Sequence, residues 1–236
     1  DYLPEADELA NYLTKNHIDR NTLTVSRTHD ASQVGFLQDY AQLSSALISL
    51  YQVSFNAEWV EMAEKLTVAM LDGFATDNAA FLSQSTAADN LFMASYSTLD
   101  TDLPSGNAQA AYNLVLLAEL FYDTRSDWKN TAKQMLAAER SEIQIAPAFT
   151  GKWIQSLLLL EYPPYEVAIL GESANKSRLA MDTAFRPDIL YLGGASEGTV
   201  PLLANKLIDG KTMIYVCQNK TCRFPTDDSQ KAYEMT

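Results

Sequence analysis

The sequence predicts a mainly α-helical protein: a partial α/α-toroid of helical hairpins, followed by a small β-α-β-α-β parallel sheet. Three observations support this prediction: an internal repeat of helix pairs, an alternation of charge-free and charge-rich helices, and a change from helical to strand periodicity near residue 162. The chain has 236 residues, of which 47% are hydrophobic, so it can bury a sizeable core.

The internal repeat joins a segment that starts at Ala46 to one that ends at Ala138. Aligning Trp59 with Trp128 brings further apolar pairs into register: Leu47 with Leu116, Ala63 with Ala132, and Leu66 with Met135. Each copy contains a long helical segment, a short polar turn and a second helical segment. A repeat of helix pairs at a fixed offset indicates a stacked array of helical hairpins.

The two helices of each copy differ in charge. No charged residue occurs in residues 40–57 or 104–118, whereas the partner segments 58–72 and 127–140 carry several. A charge-free helix is usually enclosed and a charged amphipathic one usually faces water, so the alternation predicts inner and outer helices of a toroid. Residues 147–160, with Lys152 as the one charge, are predicted as a further inner helix. A closed ring of six pairs would need more than 236 residues, which favours a partial toroid.

Strand-like segments occur in two places. Residues 21–27, 79–84 and 91–97 are predicted as short strands in connections. After Pro163 and Pro164, apolar β-branched runs alternate with helix-capable segments: strands at 166–170, 188–192 and 212–217, and helices at 176–185 and 199–208. This spacing predicts a parallel sheet with right-handed crossovers. We therefore divide the chain into a toroid segment, residues 1–163, and a small α/β subdomain, residues 164–236.

Charge and composition limit the classes of partner. The net charge of −13 disfavours binding to nucleic acid and to anionic membranes. No apolar run approaches the roughly 20 residues of a membrane span, and the acidic first residues do not resemble a signal peptide. We therefore expect that the protein binds neither nucleic acid nor membranes. We also expect a cytoplasmic location, although the sequence is compatible with a mature periplasmic or secreted protein.

Asp39 and Asp100 are the candidate catalytic residues. Asp39 lies at the edge of the apolar face of the first inner helix, where a carboxylate must find hydrogen-bond donors. Together the two residues would supply the carboxylate pair that glycoside hydrolysis needs. The structural alternatives are an Asp39 bound to a neighbouring loop and an Asp100 that belongs to an ordinary capping segment before Pro104.

Tyr40, Ser105, Asn107 and Tyr112 are the candidate ligand-binding residues. The aligned repeat places Gly35 and Phe36 opposite Pro104 and Ser105, so the loops before both inner helices should open at the same end of the toroid. Hydroxyl and amide side chains there suit sugar hydroxyls, and aromatic rings can stack on sugar rings. The alternatives are helix capping for the polar residues and ordinary core packing for the aromatic ones.

Cys217 and Cys222 form a Cys-x4-Cys motif after a predicted strand. The two histidines lie far upstream, so we expect no metal site and no cofactor. A reversible disulfide across the loop would give the pair a redox role, and two structural thiols are the alternative that we favour. The spacing differs from the Cys-x-x-Cys of thioredoxins.

Three motifs carry a family resemblance: GFLQDYAQL, DTDLPSGNAQAAYNL and YVCQNKTCRFP. In this order they resemble segments in the C-terminal two-thirds of the thioredoxin-domain-containing family that includes spermatogenesis-associated protein 20, and the resemblance spans about Glu5 to the end of the chain. It implies a toroid similar to six-hairpin glycosidases and sugar epimerases, preceded in the family by a thioredoxin-like domain. The sequence in hand lacks that domain, so the resemblance assigns it no redox activity.

Two functions follow as hypotheses. The first is a carbohydrate-related toroid that binds or processes a saccharide. The second is a non-catalytic scaffold that docks a thioredoxin-like domain or another protein partner, which is favoured by the absence of histidine from the motifs. The resemblance carries over no established activity that would decide between them.

Overall fold

The computed structural model describes residues 2–76, 82 and 96–236. Its helices in this part of the chain are α1 (Leu3–Asn16), α2 (Leu37–Ser54), α3 (Ala57–Gly73), α4 (Gly106–Leu120), α5 (Trp128–Ile145), α6 (Gly151–Glu161), α7 (Ala174–Met181) and α8 (Ser229–Tyr233). Its strands are β1 (Tyr165–Leu170), β2 (Ile189–Gly194), β3 (Met213–Gln218) and β4 (Thr221–Cys222). The predicted helix-rich fold with a small sheet is therefore confirmed.

The short strands predicted in the connections are not confirmed. Residues 79–84, apart from Leu82, and residues 91–95 lie outside the described residues. Residues 21–27 form no continuous strand. They contribute two isolated antiparallel bridges instead, between Ile18 and Val25 and between Ser26 and Val34.

The helix pairs of the repeat stack side by side. Helix α2 packs against its partner α3 and against α4, and α4 packs against its partner α5 and against α6. The three charge-poor helices α2, α4 and α6 thus stand in one row, with α1 packed on α2 and α5 packed on both α4 and α6. The closing of such a row into a toroid stays a prediction.

Helix α4 is the most enclosed element, and all of its residues except Tyr112 are buried. Ser105 is its N-cap, and the Ser105 hydroxyl accepts a hydrogen bond from the Ala108 amide. At Gly106 a Cβ atom would lie 3.0 Å from Leu37 Cγ and 3.2 Å from the Gln38 amide nitrogen, so glycine permits the close approach of α2. The absence of charge from α4 before Glu119 fits this burial.

The four-stranded sheet has the order β2-β1-β3-β4 and is mixed. Strands β1 and β2 are parallel, with Tyr165 opposite Ile189 and Leu170 opposite Gly194, and α7 forms the crossover between them. The prediction of an all-parallel sheet is wrong for β3, which runs antiparallel to β1.

The reason lies in the segment between β2 and β3. In place of the crossover helix predicted at 199–208, the segment contains a single 3₁₀ turn, Pro201–Leu203. Without a crossover helix, β3 begins at the end of the sheet where β1 ends and runs back along β1. Its first residue, Met213, therefore pairs with Leu170, the last residue of β1.

The sheet lies between two apolar layers. One face joins the helical core through Ala168, Leu170, Leu190, Leu192 and Cys217. The other face packs against α7 and α8 through Val167, Ile169, Ile214 and Val216. Alternate residues of β1 therefore belong to different cores, as the period of two in a strand requires. The chain passes from α6 to β1 at Pro163 and Pro164, but the sheet and the helices share buried contacts.

Candidate functional site

The N-terminal ends of α2, α4 and α6 lie together. The amide side chains of Gln38 and Gln42 on α2 each donate a hydrogen bond of 3.2 Å to the Pro104 carbonyl before α4. The Asp100 carboxylate joins α4 to α6. The loops that lead into the inner helices therefore open at one end, as the aligned repeat predicts.

Asp39 lies in the first turn of α2 and binds the segment that precedes this helix. Its Oδ2 accepts a hydrogen bond of 2.8 Å from the amide of Phe36, the N-cap residue of α2, and lies 3.3 Å from Arg27 Nη1. The Arg27 guanidinium also lies 5.0 Å from the centroid of the Phe36 ring. These contacts match the structural alternative, in which Asp39 holds the preceding loop on the helix.

Asp100 links the starts of two helices. Its Oδ1 accepts a hydrogen bond of 2.9 Å from the Ser105 amide, and its Oδ2 accepts one of 2.8 Å from the Lys152 amide. The Asp100 amide donates to the Phe149 carbonyl, and the Ser105 hydroxyl donates to the Thr98 carbonyl. Among the described residues, no hydrogen bond joins Asp100 to Asp39, and their action as a carboxylate pair stays a prediction.

Tyr40 and Asn107 use their polar groups inside the protein. The Tyr40 hydroxyl accepts a hydrogen bond from the Val25 amide. The fully buried Asn107 side chain donates to the carbonyls of Leu82 and Ser97 and accepts from the Leu82 amide. Both residues hold loops against the inner helices, which leaves Tyr112 as the predicted ligand-binding residue that faces an open space.

That space is a cleft of about 630 Å³ between α2, α4, α6 and the segment before β2. Its aromatic and polar lining comes from Gln52, Tyr112, Gln155, Tyr162, Phe185 and Asp188. The sequence contained a signal for one residue of this lining, because Gln52 is a neutral polar residue in the charge-free run 40–57. Gln155 and Tyr162 were missed, although their spacing of seven residues places them on one face of α6.

Lys152 stands beside this cleft. Its Nζ lies 3.4 Å from the centroid of the Tyr112 ring and donates a hydrogen bond of 3.0 Å to Gln155 Oε1. Burial lowers the pKa of Lys152 to about 8, against the opposing charge of Asp100. Burial also raises the pKa of Tyr112. In the described ranges, no carboxylate oxygen comes within 4.0 Å of this ammonium.

A buried charge network, missed by the sequence interpretation, joins the helices to the sheet. The Lys220 ammonium pairs with Glu119 at the end of α4 and with Glu166 in β1, and Lys129 also pairs with Glu119. Burial alone would raise the pKa of Glu119, but the two lysines lower it below its usual value. The signal available in the sequence was Glu119 itself, the first charge after a charge-free run.

The turn that carries Lys220 is closed by a disulfide between Cys217 and Cys222. The favoured interpretation of two free structural thiols is therefore wrong. Asn219 and Lys220 both have positive φ, of 51° and 64°, and form a two-residue turn that sets the two cysteines opposite each other in the β3–β4 ladder.

Glu139 on α5 is a third buried carboxyl group beside Glu119 and Glu166, although its helix was predicted to face water. It is 3% exposed, and its Oε1 has no hydrogen-bond partner among the described residues. Burial raises the pKa of Glu139, and the charges of Glu142 and Asp100 raise it further, against a hydrogen bond from Thr98.

Glu139→Gln is expected to make the free energy of unfolding depend less on pH. Because folding raises the pKa of Glu139, the folded state binds the proton more tightly, and stability falls as the pH rises above the pKa of the unfolded chain. The variant should gain stability relative to the wild type between pH 4 and pH 7, by on the order of 1 kcal/mol. Urea titrations at several pH values would measure this, with the exposed Glu161→Gln as control. If the difference in stability between the variant and the wild type stays the same from pH 4 to pH 7, the pKa of Glu139 is not raised by folding.

Comparison with known proteins gives one distant relationship. No family model matches the chain. Spermatogenesis-associated protein 20 of Homo sapiens is 24% identical over 207 residues, and that of Rattus norvegicus is 23% identical over the same length. Each match covers 82% of this chain and 26% of the relative, so the chain spans about a quarter of the length of the relatives. In the described part of the chain, no helix is long and apolar enough to cross a membrane.

Proposed function

We propose that the chain binds a saccharide in the cleft between α2, α4 and α6. The observation that supports this is the lining of the cleft, which combines the rings of Tyr112, Tyr162 and Phe185 with the amides of Gln52 and Gln155. The C–H face of a sugar ring packs on aromatic rings, and its hydroxyls pair with amide groups, so one lining serves both needs. The cleft is also large enough for a small ligand.

Binding, rather than hydrolysis, is the activity that these contacts favour. Both oxygens of Asp100 accept hydrogen bonds from backbone amides, and Asp39 is engaged by the Phe36 amide and by Arg27. A general acid or base needs a proton site that faces the substrate. We assign these two residues to holding the segments that lead into α2, α4 and α6.

The proposal extends to the architecture. We infer that α1 to α6 belong to an α/α toroid of the six-hairpin glycosidase type, within a longer thioredoxin-domain-containing protein. The row of α2, α4 and α6 supports this, as does the similarity to relatives of which the chain spans about a quarter.

Tyr112→Ala is expected to weaken saccharide binding by about 3- to 10-fold, because a stacking ring contributes about 0.5–1.5 kcal/mol. Calorimetric titration with a panel of methyl glycosides would measure the affinity. Phe224→Ala is the matched control, since Phe224 is 89% exposed and does not line the cleft. Absence of heat with every sugar, or an equal loss in both variants, would contradict the proposal.

A docking surface is the second candidate function. Large apolar side chains are exposed at the end of α5 and along α6: Ile145, Phe149, Leu157, Leu158 and Tyr162. Beside them, a groove of about 510 Å³ between α5 and α6 is lined by Leu136, Leu157 and Leu160. Contiguous exposed apolar surface marks interaction sites in folded proteins. Titration with a thioredoxin-like domain would test it, and binding lost in Leu157→Lys but retained in Phe224→Ala would support the scaffold over the saccharide.

A further inference from the structure

We propose that the amine of Lys152 forms an imine with the carbonyl carbon of an open-chain reducing sugar held in the cleft. The sugar rests on the proposed function, whereas the reactivity of the amine rests on the surroundings of Lys152 alone.

Lys152 adjoins the cleft through two neighbours that line it. The residue lies in the first turn of α6, and its Nζ touches the Tyr112 ring and the Gln155 amide oxygen. Both neighbours line the cleft. A bound ligand that packs on Tyr112 therefore meets the Lys152 amine at the same wall.

The charge environment separates Lys152 from two other partly buried lysines, Lys129 and Lys220. Lys129 and Lys220 both pair with carboxylates, which hold a proton on the amine. Across residues 2–76, 82 and 96–236, no carboxylate lies within 4.0 Å of Lys152 Nζ. The charged group that acts on it is Asp100, whose two oxygens already accept backbone hydrogen bonds.

An amine in these surroundings is a nucleophile near neutral pH. The half-buried ammonium loses hydration without gaining an ion pair, so the pKa of the amine falls and more of its neutral form is present than for an exposed lysine. With a pKa of about 8, about a tenth of the molecules carry the free amine at pH 7. The titratable groups that face it are Tyr112 from α4 and Asp100 from the loop before α4.

The reaction needs no oxidant or reductant. The lone pair of the neutral amine attacks the carbonyl carbon, and a proton moves from nitrogen to the carbonyl oxygen to give a carbinolamine. Loss of water then leaves a C=N bond between Lys152 and the sugar. Gln155 is a positioning residue, because its Oε1 accepts a hydrogen bond from the amine and so orients it.

The reactivity is tested with 2,4-pentanedione, which condenses with free amines to an enaminone that absorbs in the near ultraviolet. Lysine labelling in the intact chain is mapped by peptide mass spectrometry at a series of pH values. We expect Lys152 to be labelled at least 10-fold faster at pH 7 than the exposed Lys133 and Lys176, with a half-maximal rate near pH 8. Labelling no faster than these two lysines would overturn the proposal.

Variants test the geometry. Lys152→Arg should remove the fast phase, whereas Lys133→Arg should retain it. Tyr112→Phe keeps the ring and should keep the rate, whereas Tyr112→Ala exposes the amine to water and should slow labelling at pH 7 severalfold. Equal rates in Tyr112→Ala and the wild type would overturn the role of burial.

Sugars then separate this proposal from the proposed function. Borohydride, added as the reductant, traps an imine from a reducing aldose on Lys152, but a methyl glycoside has no free carbonyl to trap. Methyl glycoside binding without trapping of the aldose would overturn the imine and leave the proposed function standing. Fast labelling by 2,4-pentanedione without binding of any sugar would overturn the proposed function, and with it the sugar as the substrate.

Discussion

Lys220→Met is expected to lower the free energy of unfolding by about 3 kcal/mol, because it removes one partner of a buried ionic network. The Lys220 ammonium pairs with Glu119 and Glu166, which are only 4% and 2% exposed. Methionine fills a similar volume but leaves the Glu166 side chain without a cation. A carboxylate that has lost both its hydration and its partner destabilises the folded state alone.

Urea denaturation at pH 7, followed by tryptophan fluorescence, would measure the loss. Lys129→Met is the matched control, because Glu119 then keeps Lys220 and a smaller loss is expected. The double variant Lys220→Met/Glu166→Gln should recover part of the stability, since the unpaired charge is gone. A loss below 1 kcal/mol, or one equal to that of Lys129→Met, would show that Lys220 does not hold the junction.

The position of this network explains the size of the expected effect. Glu119 belongs to the last turn of α4, Glu166 to β1, and Lys220 to the turn of the β3–β4 hairpin. The Lys220 amide also donates a hydrogen bond to Glu166 Oε2. One side chain in a disulfide-closed turn thus connects the helical row to the sheet.

Asp100→Ala is expected to lower the free energy of unfolding by about 3 kcal/mol, since each hydrogen bond to a charged group contributes about 1.5–3 kcal/mol. The variant removes the acceptors of the Ser105 and Lys152 amides, at the starts of α4 and α6. These amides lie at the positive ends of two helix dipoles, so the loss of a negative charge there adds to the effect.

Thermal and urea unfolding would measure this loss, with Asp102→Ala as control. Asp102 is exposed two residues further on, and its replacement should change stability by less than about 0.5 kcal/mol. A purely catalytic Asp100 would instead leave stability unchanged in Asp100→Ala. That result would restore the carboxylate-pair interpretation of Asp39 and Asp100.

Several features of the fold were predictable from sequence because they are local. The repeat around Trp59 and Trp128 corresponds to two real helix pairs, α2–α3 and α4–α5. The charge-free run 104–118 predicted enclosure, and α4 is buried except at Tyr112. The direction of β3 was not predictable in this way. It depends on where the segment after β2 returns to the sheet, and Pro201 gave only an indirect signal.

The sequence predicted which polar residues lie near the candidate site, but not which groups they contact. Asp39, Asp100, Ser105 and Asn107 do lie near the starts of α2 and α4, yet apart from the pair of Asp39 with Arg27 their hydrogen bonds go to backbone groups. A sequence shows that a polar side chain is present, but it does not show whether a backbone donor or acceptor already uses it. For the same reason, the lining by Gln155 and Tyr162 appeared only when α6 was placed beside α4.

From the sequence alone one obtains the helix pairs, the enclosure of the charge-free run 104–118 and the change to strands after Pro163 and Pro164, because periodicity and charge act over a few turns of chain. Only the tertiary structure shows the mixed sheet, the disulfide, the Lys220 network and the contacts of Lys152 with Tyr112 and Gln155. Each of these depends on side chains that are distant in sequence, such as Glu119 and Lys220, and on burial, which sets the cost of a charge only after the elements have packed.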